Sequence, residues 1–173
     1  MAVKTKITFT AVNWKVGDKL AQLKPVQAYN MARKALLHAG LIVVGKAKEL
    51  TPVDTGLLRS SIDVQIEPST VGHITANVGT NVNYAMYVEF GTGPMGKAGA
   101  NGAEFKGINY RATPWTYRYI PTKGGDKKWH YAKTNGQPPR PYLYPAFISS
   151  KQAVIDDMSA FLDDAIVKVL GAK

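Results

Sequence analysis

Apolar residues recur at intervals of three and four through Tyr29, Ala32, Leu36, Ala39, Val43, Ala47 and Leu50, which draws one stripe along a helix. Arg33, Lys34, Lys46 and Lys48 lie mostly off that stripe. Pro25 suits a first helical position, and Pro52 disfavours helical geometry at Thr51, so the spacing predicts a helix over 25–50. Gly40 and Gly45 each weaken it by up to about 1 kcal/mol relative to Ala, unless a neighbour needs the room. Period two appears elsewhere. Val3, Thr5, Ile7 and Phe9 form one face of an N-terminal strand. Ile62, Val64 and Ile66 alternate with Asp63, Gln65 and Glu67, and Ile74, Ala76 and Val78 form an antiparallel partner. The connection runs through a turn at Pro68-Ser69-Thr70, with Gly72 in a second turn or a bulge. Tyr84–Phe90 predicts a third strand, with Ala85, Tyr87 and Glu89 on one face and Tyr84, Met86, Val88 and Phe90 on the other. Pro145 opens a second helix that buries Phe147, Lys151, Val154, Ile155, Met158, Phe161, Leu162, Ala165, Ile166 and Val169. Asp156, Asp157, Asp163 and Asp164 take its other side, and Gly171 ends it. The class is α+β, with a small antiparallel sheet of three to five strands packed against a long N-terminal and a C-terminal helix. Residues 1–24 form an arm, and residues 25–173 form one domain with a long basic loop inserted at 91–139.

The connections carry their own chemistry. In Thr51-Pro52-Val53-Asp54-Thr55-Gly56, Pro52 fixes a backbone angle, and Asp54 and Thr55 hold oxygens that can accept from following amides. One of them caps a short helical turn over Gly56–Ser60, and capping explains Asp54 without assigning it catalysis. The 91–139 segment contains nine glycines and interleaves cations with Phe105, Tyr110, Trp115, Tyr117, Tyr119, Trp129 and Tyr131. Within it, Trp115–Ile120 reads as a short strand able to pair with a later segment. Such a long loop is either functional or disordered. It fits an arm ordered against neighbouring subunits, with aromatic anchors, or a groove in which single-stranded nucleic acid stacks on rings. Pro138-Pro139-Arg140-Pro141 is extended. Trp14 is either an anchor for the arm or a half-buried surface tryptophan.

A chain of 173 residues, 45% hydrophobic and 20% charged, holds enough apolar material for a real core. Without cysteine there are no disulfides and no thiolate metal sites. No apolar run serves as a signal sequence or a membrane span, so a soluble protein made in a cytosol is expected, with no membrane partner. The net charge of +10 is unevenly spread. Residues 91–141 hold nine Lys or Arg, Lys123, Lys127 and Lys128 among them, against Glu104 and Asp126, while the four aspartates make the C-terminal helix acidic. This polarity suits an anionic partner, or head-to-tail attraction between copies. His38, His73 and His130 are scattered, with no zinc-ligand spacing, phosphate-cradling loop or nucleophile elbow. Neither an enzyme nor a cofactor is expected. One structural ion pair is expected, Arg59 after the turn with Glu89 at the end of the predicted third strand.

Three blocks, TPVDTGLLRSSI (51–62), YAMYVEFGTG (84–93) and RPYLYPAF (140–147), occur in this order between two helices. Together they resemble the neck or head–tail joining proteins of long-tailed bacteriophages, over about residues 26–170. The motif positions are Thr51, Pro52, Asp54, Thr55, Gly56, Arg59, Glu89, Phe90, Gly91, Arg140, Pro141 and Pro145. The resemblance implies a structural subunit without enzyme activity or cofactor. It implies a ring, a hexamer before a dodecamer, in the virion neck between head-closure (adaptor) proteins and the tail tube or tail terminator, with genomic DNA passing through its lumen. A tail-terminator ring is the alternative, and a DNA-binding module that does not read sequence is a further one. The arm and the 91–139 insertion depart from the family pattern. Surfaces for a partner or subunit are expected at Trp14, Arg111, Trp115, Arg118, Lys123, Lys127, Lys128 and Trp129, and at Asp156, Asp157, Asp163 and Asp164.

Overall fold

Ten elements follow one another in the computed structural model, which describes residues 5–10, 25–68, 74–99, 108–121 and 128–170. They are β1 (Thr5–Thr10), α1 (Pro25–Leu50), α2 (Leu57–Ser61), β2 (Asp63–Pro68), β3 (Ile74–Thr80), α3 (Ala85–Phe90), α4 (Gly93–Gly99), β4 (Trp115–Tyr119), β5 (His130–Thr134) and α5 (Leu143–Leu170). Trp14, the turn at Ser69-Thr70, Gly72, His73, Phe105, Lys123, Lys127 and Gly171 lie outside the described residues. The chain is α+β and divides into two compact units, Met1–Asn83 with Tyr142–Lys173, and Tyr84–Pro141.

In the first unit, β1, β3 and β2 form an antiparallel sheet in that order. Val64 pairs with Val78 and Ile66 with Ala76, while Ile7 of the N-terminal strand also pairs with Val78. The predicted helix forms over its full predicted length, and α1 packs on β2, β3 and α5. Its buried stripe is Met31, Ala35, Leu36, Ala39, Val43, Val44 and Ala47; Tyr29 and Leu50, at the two ends of the predicted stripe, are exposed. Val64, Ile74, Ala76 and Val78 from the sheet, Leu58 from α2, and Tyr142, Leu143, Ala146 and Leu162 close the core. Gly40 is where helix and sheet come closest: a Cβ there would overlap the Val64 side chain.

The end of α1 is tied off by Thr51, whose amide and hydroxyl both donate to the Ala47 carbonyl, at 3.0 and 2.6 Å. Gly56, at φ 81°, occupies the N-cap of α2, a left-handed conformation that suits glycine. Of the two expected caps, Thr55 accepts from the Leu57 amide through Oγ1 at a long 3.4 Å, and Asp54 is exposed. At its other end, Ser61 Oγ donates to the Leu58 carbonyl at 2.8 Å and meets Thr80 Oγ1 at 2.6 Å, so the helical turn is pinned to the end of β3.

Two predicted features are corrected. Tyr84–Phe90 is not a third strand: Ala85–Phe90 is helical, and the amides of Val88 and Gly91 donate to the carbonyls of Tyr84 and Tyr87. Ala85 and Glu89, one turn apart, are its buried residues, so the apparent alternation was the shorter signal within a helical period. The C-terminal helix starts at Leu143 rather than Pro145. Pro145 sits in its first turn, where a missing amide loses no helical bond. The expected buried face of α5 is only partly covered: Leu162 is buried, but Ile155 and Lys151 are exposed.

Candidate functional site

The second unit is organised by a close meeting of two backbone segments. Thr92 and Gln137 form an isolated antiparallel bridge, with N–H···O distances of 2.9 and 3.2 Å in the two directions. Gly91 (φ 73°) and Gly93 (φ 62°) bend the chain on one side, and Gly136 (φ 90°) bends it on the other. Added Cβ atoms have no space here: at Gly136 one would overlap the Thr92 carbonyl, and at Gly93 one would meet the Trp115 ring and the Asn135 carbonyl. Gly91-Thr92-Gly93-Pro94-Met95-Gly96 has the G-x-G-x-x-G spacing of a dinucleotide loop. Here the space beside Gly91 is filled by the Gln137 carbonyl and Gly96, and an α-helix rather than a strand precedes it. The glycines serve close backbone packing, not a phosphate. Further bonds lock the meeting point. Gln137 Nε2 donates to the Tyr87 carbonyl at 2.6 Å, the Arg140 amide to the Val88 carbonyl at 2.8 Å, and the Tyr110 hydroxyl to the Phe90 carbonyl at 2.9 Å. Burial holds the Tyr110 phenol above its ordinary pKa.

From this base rises a two-stranded antiparallel ribbon. The short strand expected from Trp115 does pair with a later segment, β5. The register sets Trp115 against Thr134, Tyr117 against Ala132 and Tyr119 against His130 on one face. Rings line that face, with Tyr119 centred 5.8 Å from both Tyr117 and His130. On the other face Thr116 pairs with Lys133 and Arg118 with Tyr131, and the Arg118 guanidinium lies 4.6 Å from the centre of the Trp129 ring. Arg111 sits 5.4 Å from the Trp115 ring, so each arginine is held over an aromatic by cation–π attraction. Both faces of the ribbon remain open: Tyr131 is 73% exposed on the basic face and Tyr117 46% on the other. Lys97, Arg111, Arg118, Lys128, Lys133 and Arg140 are all exposed, whereas Glu89, the one carboxylate among this unit's described residues, is 1% exposed. Arg59, the other half of the expected ion pair, is exposed on α2.

The aspartates belong to α5, in the first unit. Asp156, Asp163 and Asp164 are exposed and Asp157 is half-buried. Asp156 accepts from Gln152 Nε2 at 2.8 Å, Asp164 from Lys168 Nζ at 2.6 Å, and Asp157 lies 3.3 Å from His38 Nδ1. Ile148, Ile155 and Val167 are exposed on the same helix, Val167 by 68%. The structure therefore gathers Arg111, Trp115, Arg118, Lys128 and Trp129 into one ribbon and the four aspartates onto one helix. Tyr131 and Lys133 complete the ribbon's basic face and were missed as site residues. Their signal is the alternation over His130–Thr134 opposite that over Trp115–Tyr119. Among the described residues no group of His, Asp or Glu is placed to hold a metal ion, and no helix is long and apolar enough to cross a membrane.

Residues 15–91 match the family model HK97-gp10-like, described as "Bacteriophage HK97-gp10, putative tail-component". The chain is thus similar, from ahead of α1 to Gly91, to a tail-component family of bacteriophages. The match ends where the glycine turn launches the ribbon unit. No curated protein and no solved structure matches the chain.

Proposed function

We propose that the protein is a structural virion component that assembles into a ring, a hexamer in the simplest case, at the phage neck and joins the head-closure ring to the tail. The observation that carries this reading is the β4–β5 ribbon. A two-stranded ribbon is marginally stable in water by itself, and this one leaves aromatic and cationic side chains open on both faces. Such a surface is completed by a partner, with rings as anchors and arginines as enriched interface residues. The similarity of residues 15–91 to a phage tail-component family supplies the setting. The ordered blocks around Thr51–Ile62, Tyr84–Gly93 and Arg140–Phe147 favour the neck within it. The ribbon unit lies almost wholly beyond the matched residues, so the docking particular to this phage resides there. The DNA that crosses the lumen contacts at most backbone phosphates, because the chain carries no base-reading motif.

The similarity to a tail-component family favours a second reading in which the ring terminates the tail. One experiment separates the two. Virions lacking this protein are imaged by electron microscopy, and the tagged protein is located along the particle axis. Loss of a neck ring leaves filled heads and finished tails unjoined; loss of a terminator leaves tails of uncontrolled length. Normal particles without the protein, or its absence from every particle, would sink both readings.

A further inference from the structure

We infer that the basic face of the β4–β5 ribbon of one copy docks on the exposed acidic-aliphatic stripe of α5 on the next copy. This rests on the ring reading and names its subunit contact. The ribbon face presents Arg118, Trp129, Tyr131 and Lys133. The stripe presents Ile148, Gln152, Asp156, Ser159, Asp163 and Val167 at intervals of three or four residues along one exposed side of α5, with Ile155 beside Asp156 and Lys151 beside Gln152.

The two surfaces complement each other in charge and chemistry. Every described ionisable group exposed on the ribbon unit is a cation, apart from His130 and the tyrosines, whereas the stripe carries Asp156 and Asp163 with Lys151 at its N-terminal edge. Lys133 lies opposite Thr116, two residues along from Arg118, so the two cations stand about 7 Å apart along the ribbon. Asp156 and Asp163 lie two helical turns apart, about 10 Å, a mismatch that long Lys and Arg side chains absorb. Tyr131 and Trp129 meet Ile155 and Val167, side chains whose exposure costs solvation on both partners. DNA would satisfy the cations and leave the α5 aliphatics in water. A second copy satisfies both surfaces at once. Because ribbon and stripe are different surfaces, the contact is heterologous, the kind that closes a ring when its rotation is right.

The chain contains no cysteine, which makes disulfide trapping clean. Tyr131→Cys and Ile155→Cys variants are prepared separately, then oxidised alone and after mixing. The inference expects a covalent dimer only in the mixture. In parallel, the pair Arg118→Glu/Lys133→Glu and the pair Asp156→Lys/Asp163→Lys should each raise the protein concentration needed for assembly by about tenfold or more, and mixing the two variants should restore it. Rings that assemble yet give no cross-link in the mixture overturn the inference and leave the neck ring standing. So does Tyr131→Cys cross-linking to itself, which would mean ribbon against ribbon. Charge reversal on the ribbon that abolishes low-salt DNA binding while assembly is unchanged assigns the face to DNA and overturns it too. A wild-type chain still monomeric at about 1 mM overturns the contact, while the location of the protein on the particle still decides the function.

Discussion

Gly40 and Gly45 are both interior residues of α1, yet their surroundings set opposite expectations. Gly45 is exposed, with nothing within 4 Å of an added Cβ, so alanine there meets only the helix-propensity difference. Gly45→Ala should stabilise the protein by up to about 1 kcal/mol. Gly40→Ala inserts a methyl into Val64 and should destabilise by about 1–3 kcal/mol, the usual cost of overpacking a filled site. Urea unfolding of the two variants checks this, and equal shifts would mean that helix and sheet do not meet at Gly40. A sharper case is Gly136, where φ of 90° and the Thr92 carbonyl both exclude a side chain. Strain alone costs about 1–3 kcal/mol, and the overlap adds to it. Gly136→Ala should therefore open the Thr92–Gln137 bridge and change the fluorescence of Trp115, whose ring packs on Gly93. Unaltered emission and protease resistance would refute the packed-glycine account.

At the scale of elements, α3 shows what a sequence pattern can and cannot decide. Tyr84–Phe90 is a short apolar run with aromatic and branched residues, which suits a strand and a buried helix equally. The deciding facts are non-local. The Phe90 carbonyl accepts from Tyr110 at 2.9 Å and the Val88 carbonyl from the Arg140 amide at 2.8 Å, partners twenty and more residues away. Tyr110→Phe should cost about 1 kcal/mol, one net hydrogen bond. The phenol donates only while protonated, and its pKa is raised in the folded protein. Its contribution is therefore complete below the ordinary tyrosine range and is lost as pH rises through the raised value. Alkaline titration of tyrosinate absorbance should lose its late component in the variant; an unchanged curve would place Tyr110 in water. The α1 stripe, the Val64–Val78 pairing and the Trp115 strand were legible because each rests on local period and on turn residues. The β5 partner, the glycine meeting point and the open side of α5 were not, because each depends on which distant segment arrives. Ile155 falls on the apolar stripe of α5 by spacing, yet it is 47% exposed, with no described element laid over it.

At the scale of the whole molecule the net charge of +10 is unevenly spread, with a cationic ribbon unit and an acidic helix, and this polarity predicts how assembly should respond to salt. Exposed charges steer encounter over roughly one Debye length, about 8 Å at physiological ionic strength and about 3 Å at 1 M. In the proposed contact the anchors are Trp129, Tyr131, Ile155 and Val167, whose burial between copies salt would not screen. The rate at which copies associate should therefore fall steeply between low and high salt, while the final degree of assembly at a fixed protein concentration changes much less. Binding to DNA through the same cations would behave differently. Its equilibrium constant would itself fall along a straight line in log–log form, with a slope set by the number of phosphates neutralised. Light scattering followed in time gives both quantities in one series. Salt that slows association and leaves the plateau in place is the expected outcome. A plateau that collapses with salt would mean that the charges, rather than the rings and aliphatics, hold the copies together, and an ion-pair contact without an apolar centre would replace the one drawn here.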